Sequence, residues 1–336
     1  MAWWFGSKNQ FALRDSKTHE AVDDLLATLQ LPRLMADDQI AISELVRIAI
    51  MAIDISEVWE AIQADGWSDE DLARLQAACQ KPQFLQAMMH ALEGERIFAD
   101  TGYDLFRKSN DETSKALEWE FTFAGEEDRR GGMSKFLEKQ IYCRIWRFAW
   151  SYQDQQQNLE HLQRLVEAAR KAGKEKCYVG VLPDIEKSML EIEKRNWYDR
   201  LRFGLSHSGV SLSRTIARAM LVETERSQLV CAIALKHYFL HYKKFPASLD
   251  QLAPEFLSAV PTDYMDGKPM KYHLNSNGSF TLYSVGQNGI DEGGDTTPLK
   301  DAKNANHLWW RKDMVWPAAA APAEVSAWQE ESAKNN

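Results

Sequence analysis

The chain has 336 residues, 45% of them hydrophobic and 26% charged, with a formal net charge of −9. That length can bury a sizeable core and suggests about two domains, and the acidic balance argues against sequence-independent nucleic-acid binding, which needs clustered Lys and Arg to displace phosphate counterions. The cysteines Cys79, Cys143, Cys177 and Cys231 form no CxxC pair, which excludes a zinc ribbon or thioredoxin motif, and no apolar run is long enough to cross a bilayer.

Lys17 to Tyr242 reads as mostly helical, with Pro32, Pro82 and Pro183 as breaks. Asp37 or Asp38 is expected to cap a helix running to about Ala64, because Ile42, Leu45, Val46, Met51, Val58, Trp59 and Ile62 recur at the helical period. Gly66 ends that helix and "GWSDEDLARLQAAC" starts the next. There Ser68 can accept from the first free N–H groups, with Asp71 as its capping-box partner and the acids of the first turn suiting the helix dipole. "KPQFLQAMMHALEGERIF" gives a further helix, and Phe121 to Ser134 an irregular connection. Helices follow over about Lys135–Gln153, Gln157–Lys171 and Asp184–Leu201.

A long helix at about 212–242 carries Leu229, Val230, Ile233, Leu235, Phe239 and Leu240 on more than one stripe, the pattern of a spine buried on two sides. Pro246 breaks the chain and a short helix begins near Ser248. Met270–Leu274 and Ser279–Val285 are strand-like and joined by the turn residues Asn275, Ser276, Asn277 and Gly278. From Pro317 the tail is Ala/Pro-rich and then polar, a composition expected to be disordered. The expected fold class is α+β and predominantly α-helical: a helical region at 1–210, a compact module at 211–317 made of a long helix and a small antiparallel sheet, and a tail at 318–336.

Few residues carry chemistry. His237 and His241 share a helix face and could ligate one metal, but the Glu of HExxH is absent and no third ligand is evident, so two partly exposed histidines near a helix end is the simpler expectation. Glu93, Glu95 and Arg96 offer paired carboxylates, which on a surface helix normally form salt links. Arg129 and Arg130, among Glu126, Glu127 and Asp128, read as a solvated loop. Twelve tryptophans, among them Trp3, Trp4, Trp309, Trp310 and Trp316 outside the long helices, are expected in packing. "SHSGVS" at Ser206–Ser211 lacks the G-x-S-x-G elbow, and no P-loop or GxGxxG occurs. The stretch "TLYSVGQNGIDEGGD", Thr281 to Asp295, is different. Asn288, Asp291, Glu292 and Asp295 supply oxygen donors, while Gly286, Gly289, Gly293 and Gly294 let the backbone turn carbonyls inward, as calcium coordination requires.

Residues 225–317 resemble the globular part of type II secretion major pseudopilins. "HYFLHYKKFPASLDQL" is similar to that family's tyrosine-containing helix end, G-x-Y-P and short helix. "PEFLSAVPTDYMDGKPMKY", "FTLYSVGQNGIDEGGD" and "KDMVWP" are similar to its proline-flanked segment, its Gly/Asp loop and its closing strand. The resemblance implies calcium in that loop: Asn288 stands where the family has an Asp ligand, Asp313 at the closing Asp, and the Val285 carbonyl at a backbone ligand. Asp291 and Asp295 are added from this sequence's own acids. The Asn removes one negative charge, and the insertion "TTPLKDAKNANHLWWRK" lengthens the loop.

The family's N-terminal cleavage site and membrane half-helix do not lead into the spine here, so assembly into a pilus by the family's route is not expected. The whole chain also resembles proteins of planctomycete and verrucomicrobial type that join a helical region to such a module, a resemblance that implies no activity. The function implied is a non-enzymatic, extracytoplasmic structural or interaction protein, periplasmic or envelope-associated. Its expected partners are other proteins of secretion or the envelope and no nucleic acid, and it would meet the membrane only through a leader outside this chain. The alternatives are a hydrolase-type enzyme using carboxylates such as Glu93 and Glu95, or a helical scaffold.

Overall fold

The computed structural model describes residues 17–36, 38–80, 83–123, 136–206, 209–300, 302 and 308–318. The fold is α+β and predominantly helical, with a three-stranded antiparallel sheet of order β1-β2-β3. Helices α1 (Thr18–Thr28), α2 (Ala41–Ala61), α3 (Asp69–Cys79), α4 (Phe84–Phe106) and α5 (Asn110–Phe123) come first. Two π-helical turns, Glu138–Tyr142 and Trp146–Trp150, flank one α turn at Cys143–Ile145 and lead into α6 (Ser151–Glu175). Then come α7 (Tyr178–Glu193), α8 (Trp197–Arg202) and the spine α9 (Gly209–Tyr242), followed by β1 (Lys271–Leu274), β2 (Phe280–Ser284) and β3 (Met314–Val315).

Local chemistry sets several boundaries. Ser68 caps α3 by accepting from the Asp71 N–H at 3.1 Å, while its hydroxyl donates to the Asp71 carboxylate at 2.7 Å. The entrance to α2 differs from expectation. Asp37 lies outside the described residues, and Asp38 accepts from the Ser43 hydroxyl at 3.0 Å instead of capping. Ile40 occupies the N-cap position, and the Ala41 N–H donates to Glu95 Oε1 on α4 at 2.9 Å. A carboxylate remote in sequence thus replaces the local cap. Gly94 makes this approach possible, because a Cβ there would stand 2.0 Å from the Gln39 carbonyl oxygen.

The break expected between Gln153 and Gln157 does not exist. Asp154 is fully buried, accepting from Trp146 Nε1 at 2.8 Å and from the Leu205 N–H at 3.0 Å, so the polar "SYQDQQQ" belongs to one continuous helix, with Ser151 and Asp154 facing inward, rather than to a linker. Pro183 likewise sits inside α7, which starts at Tyr178 rather than Asp184. The Tyr178 and Val179 N–H groups donate to the carbonyl oxygens of Tyr264 (2.9 Å) and Met265 (3.1 Å), so that helix start is satisfied from far downstream. The helix expected to continue to Leu201 ends at Glu193. Asn196 then caps α8, accepting from the Asp199 N–H at 2.9 Å.

One buried cluster draws on α1–α4, α6, α7, α9 and the sheet, with Met51, Leu72, Met88, Leu165, Ile233 and Leu282 all inaccessible. Every residue from Leu229 to Leu235 is buried, so the spine is covered all round, as its apolar pattern predicts. Cys79 and Cys231 are buried free thiols. A second, smaller core gathers Tyr103, Ala116, Leu117, Cys143, Trp146 and Leu205 near the beginning of α9. At the other end of the spine, Lys236 Nζ donates to the Ala64 carbonyl, Thr18 Oγ1 to the Gly66 carbonyl and Trp59 Nε1 to the Pro317 carbonyl. Both ends of the described chain therefore sit there.

The expected hairpin forms, with Lys271 opposite Tyr283 and Leu274 opposite Phe280, and β3 pairs on the far side of β2. Most of the Phe121–Ser134 connection, the tail from residue 319, and Trp3 and Trp4 lie outside the described residues.

A candidate metal loop between the second and third strands

Asp263, in "VPTDYMDG", anchors the start of the loop. It is fully buried and accepts from Ser284 Oγ at 2.8 Å, the Val285 N–H at 3.0 Å and the Met265 N–H at 2.9 Å. Burial raises its pKa and the hydrogen bonds pull it back. Sequence reasoning did not single out Asp263; the only signal was its place in the quoted proline-flanked segment. Two glycines then fit the loop against its neighbours. Gly286 has φ +65° and a Cβ there would lie 2.3 Å from the Lys312 carbonyl oxygen; Gly289 has φ +66° and its Cβ would lie 2.5 Å from Val179 Cγ2.

Each site residue has a defined place. Val285 is buried, with its N–H held by Asp263. Asn288 Oδ1 accepts from the Ile290 N–H at 3.0 Å and Nδ2 donates to Glu292 Oε1 at 2.9 Å. Asp291 Oδ1 accepts from the Tyr283 hydroxyl at 2.9 Å and from the Gly293 N–H at 3.1 Å. Burial and that carboxylate push the Tyr283 hydroxyl up to about 12. Asp295 accepts from the Thr297 N–H at 2.9 Å and lies 2.7 Å from Lys312 Nζ. The ammonium and the Thr297 N–H hold Asp295 down at about 2.

Asp313 closes the loop from β3. It is fully buried, and its Oδ2 accepts from the N–H groups of Gly294 (2.8 Å) and Asp295 (3.0 Å). Its own N–H donates to the Asp295 carbonyl at 3.0 Å. Burial raises its pKa against the pull of those two N–H groups and of the Glu292 N–H, while the Asp291 charge adds to the rise. Asp313 Oδ1 and Glu292 Oε2 are buried and have no hydrogen-bond partner among the described residues. Glu292 is raised by burial, with Asp313 and Asp295 raising it further. The loop thus brings Asp295 and Asp313 close enough to raise Glu292 and Asp291 close enough to raise Asp313, with Lys312 paired to Asp295. Among the described residues no three His, Cys, Asp or Glu side chains already stand in a metal-holding arrangement. The donor chemistry nevertheless fits a hard cation, since two carboxylate oxygens are desolvated and unpaired, a costly state that calcium would relieve. Asn288 does not fit as placed, because its carbonyl oxygen is already engaged.

The other candidates are tied into the scaffold. Glu93 lies 3.1 Å from Arg170 and Glu95 holds the Ala41 N–H, while Arg96 bonds Gln163. The two carboxylates therefore serve different partners. His237 is buried, contrary to the expectation of exposure, and burial lowers its pKa. His241 Nε2 lies 2.9 Å from Asp69 Oδ2. Both rings meet Phe256 edge-on, at 5.8 and 5.4 Å between centroids, so Phe256 is the shared neighbour of the two histidines. The Ser206 hydroxyl donates to the Phe203 carbonyl at 3.2 Å and accepts from Arg195 at 2.8 Å. His207, Arg129 and Arg130 lie outside the described residues.

Comparison with protein-family models, curated proteins and solved structures finds no match to this chain.

Proposed function

We propose that the chain is a non-catalytic, extracytoplasmic structural and interaction protein. In this reading its C-terminal part, similar to the pseudopilin globular domain, is closed by a calcium ion. The observation that carries the cation is the buried, unpaired Oδ1 of Asp313 beside the unpaired Oε2 of Glu292. Asp313 and Glu292 would hold the ion, with Asp291 and Asp295 supplying further negative charge around it. Bound there, calcium would relieve the repulsion that Glu292 and Asp313 experience from the neighbouring acids and tie β3 to the loop after β2. Its binding energy would then be folding energy.

The non-catalytic part of the proposal is supported by the fate of Glu93 and Glu95, which are spent on Arg170 and on the entrance of α2. The order of elements, a long helix, a hairpin, a Gly/Asp loop and a closing strand, supports the likeness to pseudopilins and, through it, partners among secretion or envelope proteins.

The test is a thermal melt of the full chain with calcium in excess, with magnesium, and with chelator. The midpoint is expected to rise by several degrees with calcium alone, and the rise to vanish in Asp313→Asn. An unchanged midpoint in calcium overturns the proposal.

A further inference from the structure

A hollow of about 550 Å³ lies where the entrance of α2, the first two turns of α4 and the short 3-10 turn Leu31–Met35 come together. It shares no residue with the loop between β2 and β3. Arg47 forms its floor and is only 5% exposed. A guanidinium so deeply buried is costly unless its donors are met, and here the fork is incomplete. Nε donates to the Pro32 carbonyl at 2.7 Å, and Nη1 to both carboxylate oxygens of Glu44 at 2.6 and 2.8 Å. The guanidinium carbon stands 5.4 Å from the centre of the Phe84 ring, at the start of α4. Nη2 donates to none of the described residues, and the little of Arg47 that is exposed lines this hollow. An acceptor brought into the hollow would complete the fork.

The two ends of the hollow differ in charge. At the Arg47 end stands Arg33, next in sequence to the carbonyl that holds Arg47 Nε. The start of α4 is here too, with no acid in its first turn and no side-chain cap from Gln83. The positive end of that helix adds to two guanidinium groups, against the single carboxylate of Glu44. At the other end, the segment leading into α2 is pressed against α4, where Gly94 makes room for the Gln39 carbonyl and Glu95 takes the Ala41 N–H. Asp38 lies in this segment, exposed, accepting from the Ser43 hydroxyl at 3.0 Å; Asp37 lies outside the described residues. His90 stands on α4 at this end with its Nδ1 3.5 Å from Glu93, whose other oxygen meets Arg170. One positive charge is thus left over at the first end and one negative charge, Asp38, at the second.

Such a hollow selects a zwitterion with separated charges rather than a plain anion or cation. Between the ends, α4 lines the hollow from Gln83 to His90, seven residues or about 10 Å of helix. Two or three residues of extended peptide span about 7–10 Å, with an ammonium at one end, a carboxylate at the other and amides between. Gln39, Gln83 and Gln86 line the hollow, and their side-chain amides make no hydrogen bond among the described residues, so both donors and acceptors face a peptide unit. We propose that this hollow binds a short free peptide of two or three residues, its carboxylate on Arg47 and Arg33 and its ammonium on Asp38. A free amino acid carries both charges on one carbon and cannot meet both ends at once.

The experiment is titration calorimetry of the full chain with trialanine, N-acetyl-trialanine, trialanine amide, free alanine and acetate. Trialanine is expected to bind, and blocking either terminus to weaken it about tenfold, since each block removes a charge-assisted hydrogen bond. Asp38→Asn should weaken trialanine about tenfold and leave the acetylated peptide unchanged. Arg33→Gln should weaken trialanine in the same way and leave the amide unchanged. Both residues are exposed, and unchanged circular dichroism of the variants checks that the fold is kept. Absence of trialanine binding overturns the proposal, as does binding that neither the blocked termini nor the two variants weaken. Acetate or alanine binding as tightly as trialanine would assign the hollow to a simple anion or an amino acid and likewise overturn it.

Discussion

Asp54 sits on α2 with no accessible surface, and the one polar neighbour of its carboxylate is the Thr28 hydroxyl, whose proton goes to the Leu25 carbonyl at 2.9 Å. Burial, helped by the neighbouring Glu57, pushes its pKa from 3.8 up to about 7. In the unfolded chain the carboxyl loses its proton near 4, whereas in the folded chain it keeps it to about 7. Between those values the folded state holds a proton that the unfolded state has released, so stability falls as pH rises through the window and levels off above it. At about 1.4 kcal/mol per unit, the cost of this one group is roughly 2 kcal/mol at pH 5 and roughly 4 kcal/mol at pH 8. Asp54→Asn keeps the shape and removes the titration. Its stability relative to the parent should therefore improve by about 2–3 kcal/mol on going from pH 5 to pH 8. Taking the difference between variant and parent cancels the ionisable groups that do not interact with Asp54; Glu57, itself raised to about 7 and repelled by Asp54, titrates in the same window, and its relief adds to the difference in the same direction. Urea denaturation at the two pH values measures it. A difference that does not change with pH would refute the reasoning, and one that shrinks as pH rises would reverse it.

Gly94→Ala should destabilise by about 2–4 kcal/mol despite alanine's better helix propensity, because the new Cβ would meet the Gln39 carbonyl and pull Glu95 off the Ala41 N–H. Denaturation of the variant checks this, and a neutral or stabilised protein would show that the approach of α4 to Gln39 is not needed. Lys312→Met should strengthen calcium binding by about tenfold in titration calorimetry, since the ammonium beside Asp295 occupies the charge that calcium would otherwise neutralise. Equal affinity in the two proteins would remove Lys312 from the account of the loop.

Much of the local structure was legible because its causes are local. Ser68 and Asp71 are three residues apart and cap α3 as their spacing implies. Asn277 and Gly278 turn the hairpin between apolar runs, and the all-round apolar pattern of the spine marked its burial. What escaped was set by partners distant in sequence. The cap of α2 is Glu95, a residue that sequence spacing presented only as half of a carboxylate pair. The polar run around Asp154 looked like a linker because nothing local shows that Trp146 and Leu205 would bury that carboxylate. Within the candidate loop, the residue types were visible in sequence but not their division of labour. The sequence could not show that Asn288 would spend its oxygen on the Ile290 N–H, or that Asp313 and Glu292 would be left with unpaired oxygens.

The start of α7 has a bearing on how the protein is made. Its first two amides are satisfied only by the backbone of Tyr264 and Met265, which emerge from the ribosome long after α7 itself. Through that interval the nascent helix carries open donors at one end, and its neighbours wait for the sheet before the main core can close. The contacts that complete the main core, from Met265, Met270 and Leu282, are therefore available only after most of the chain has been made.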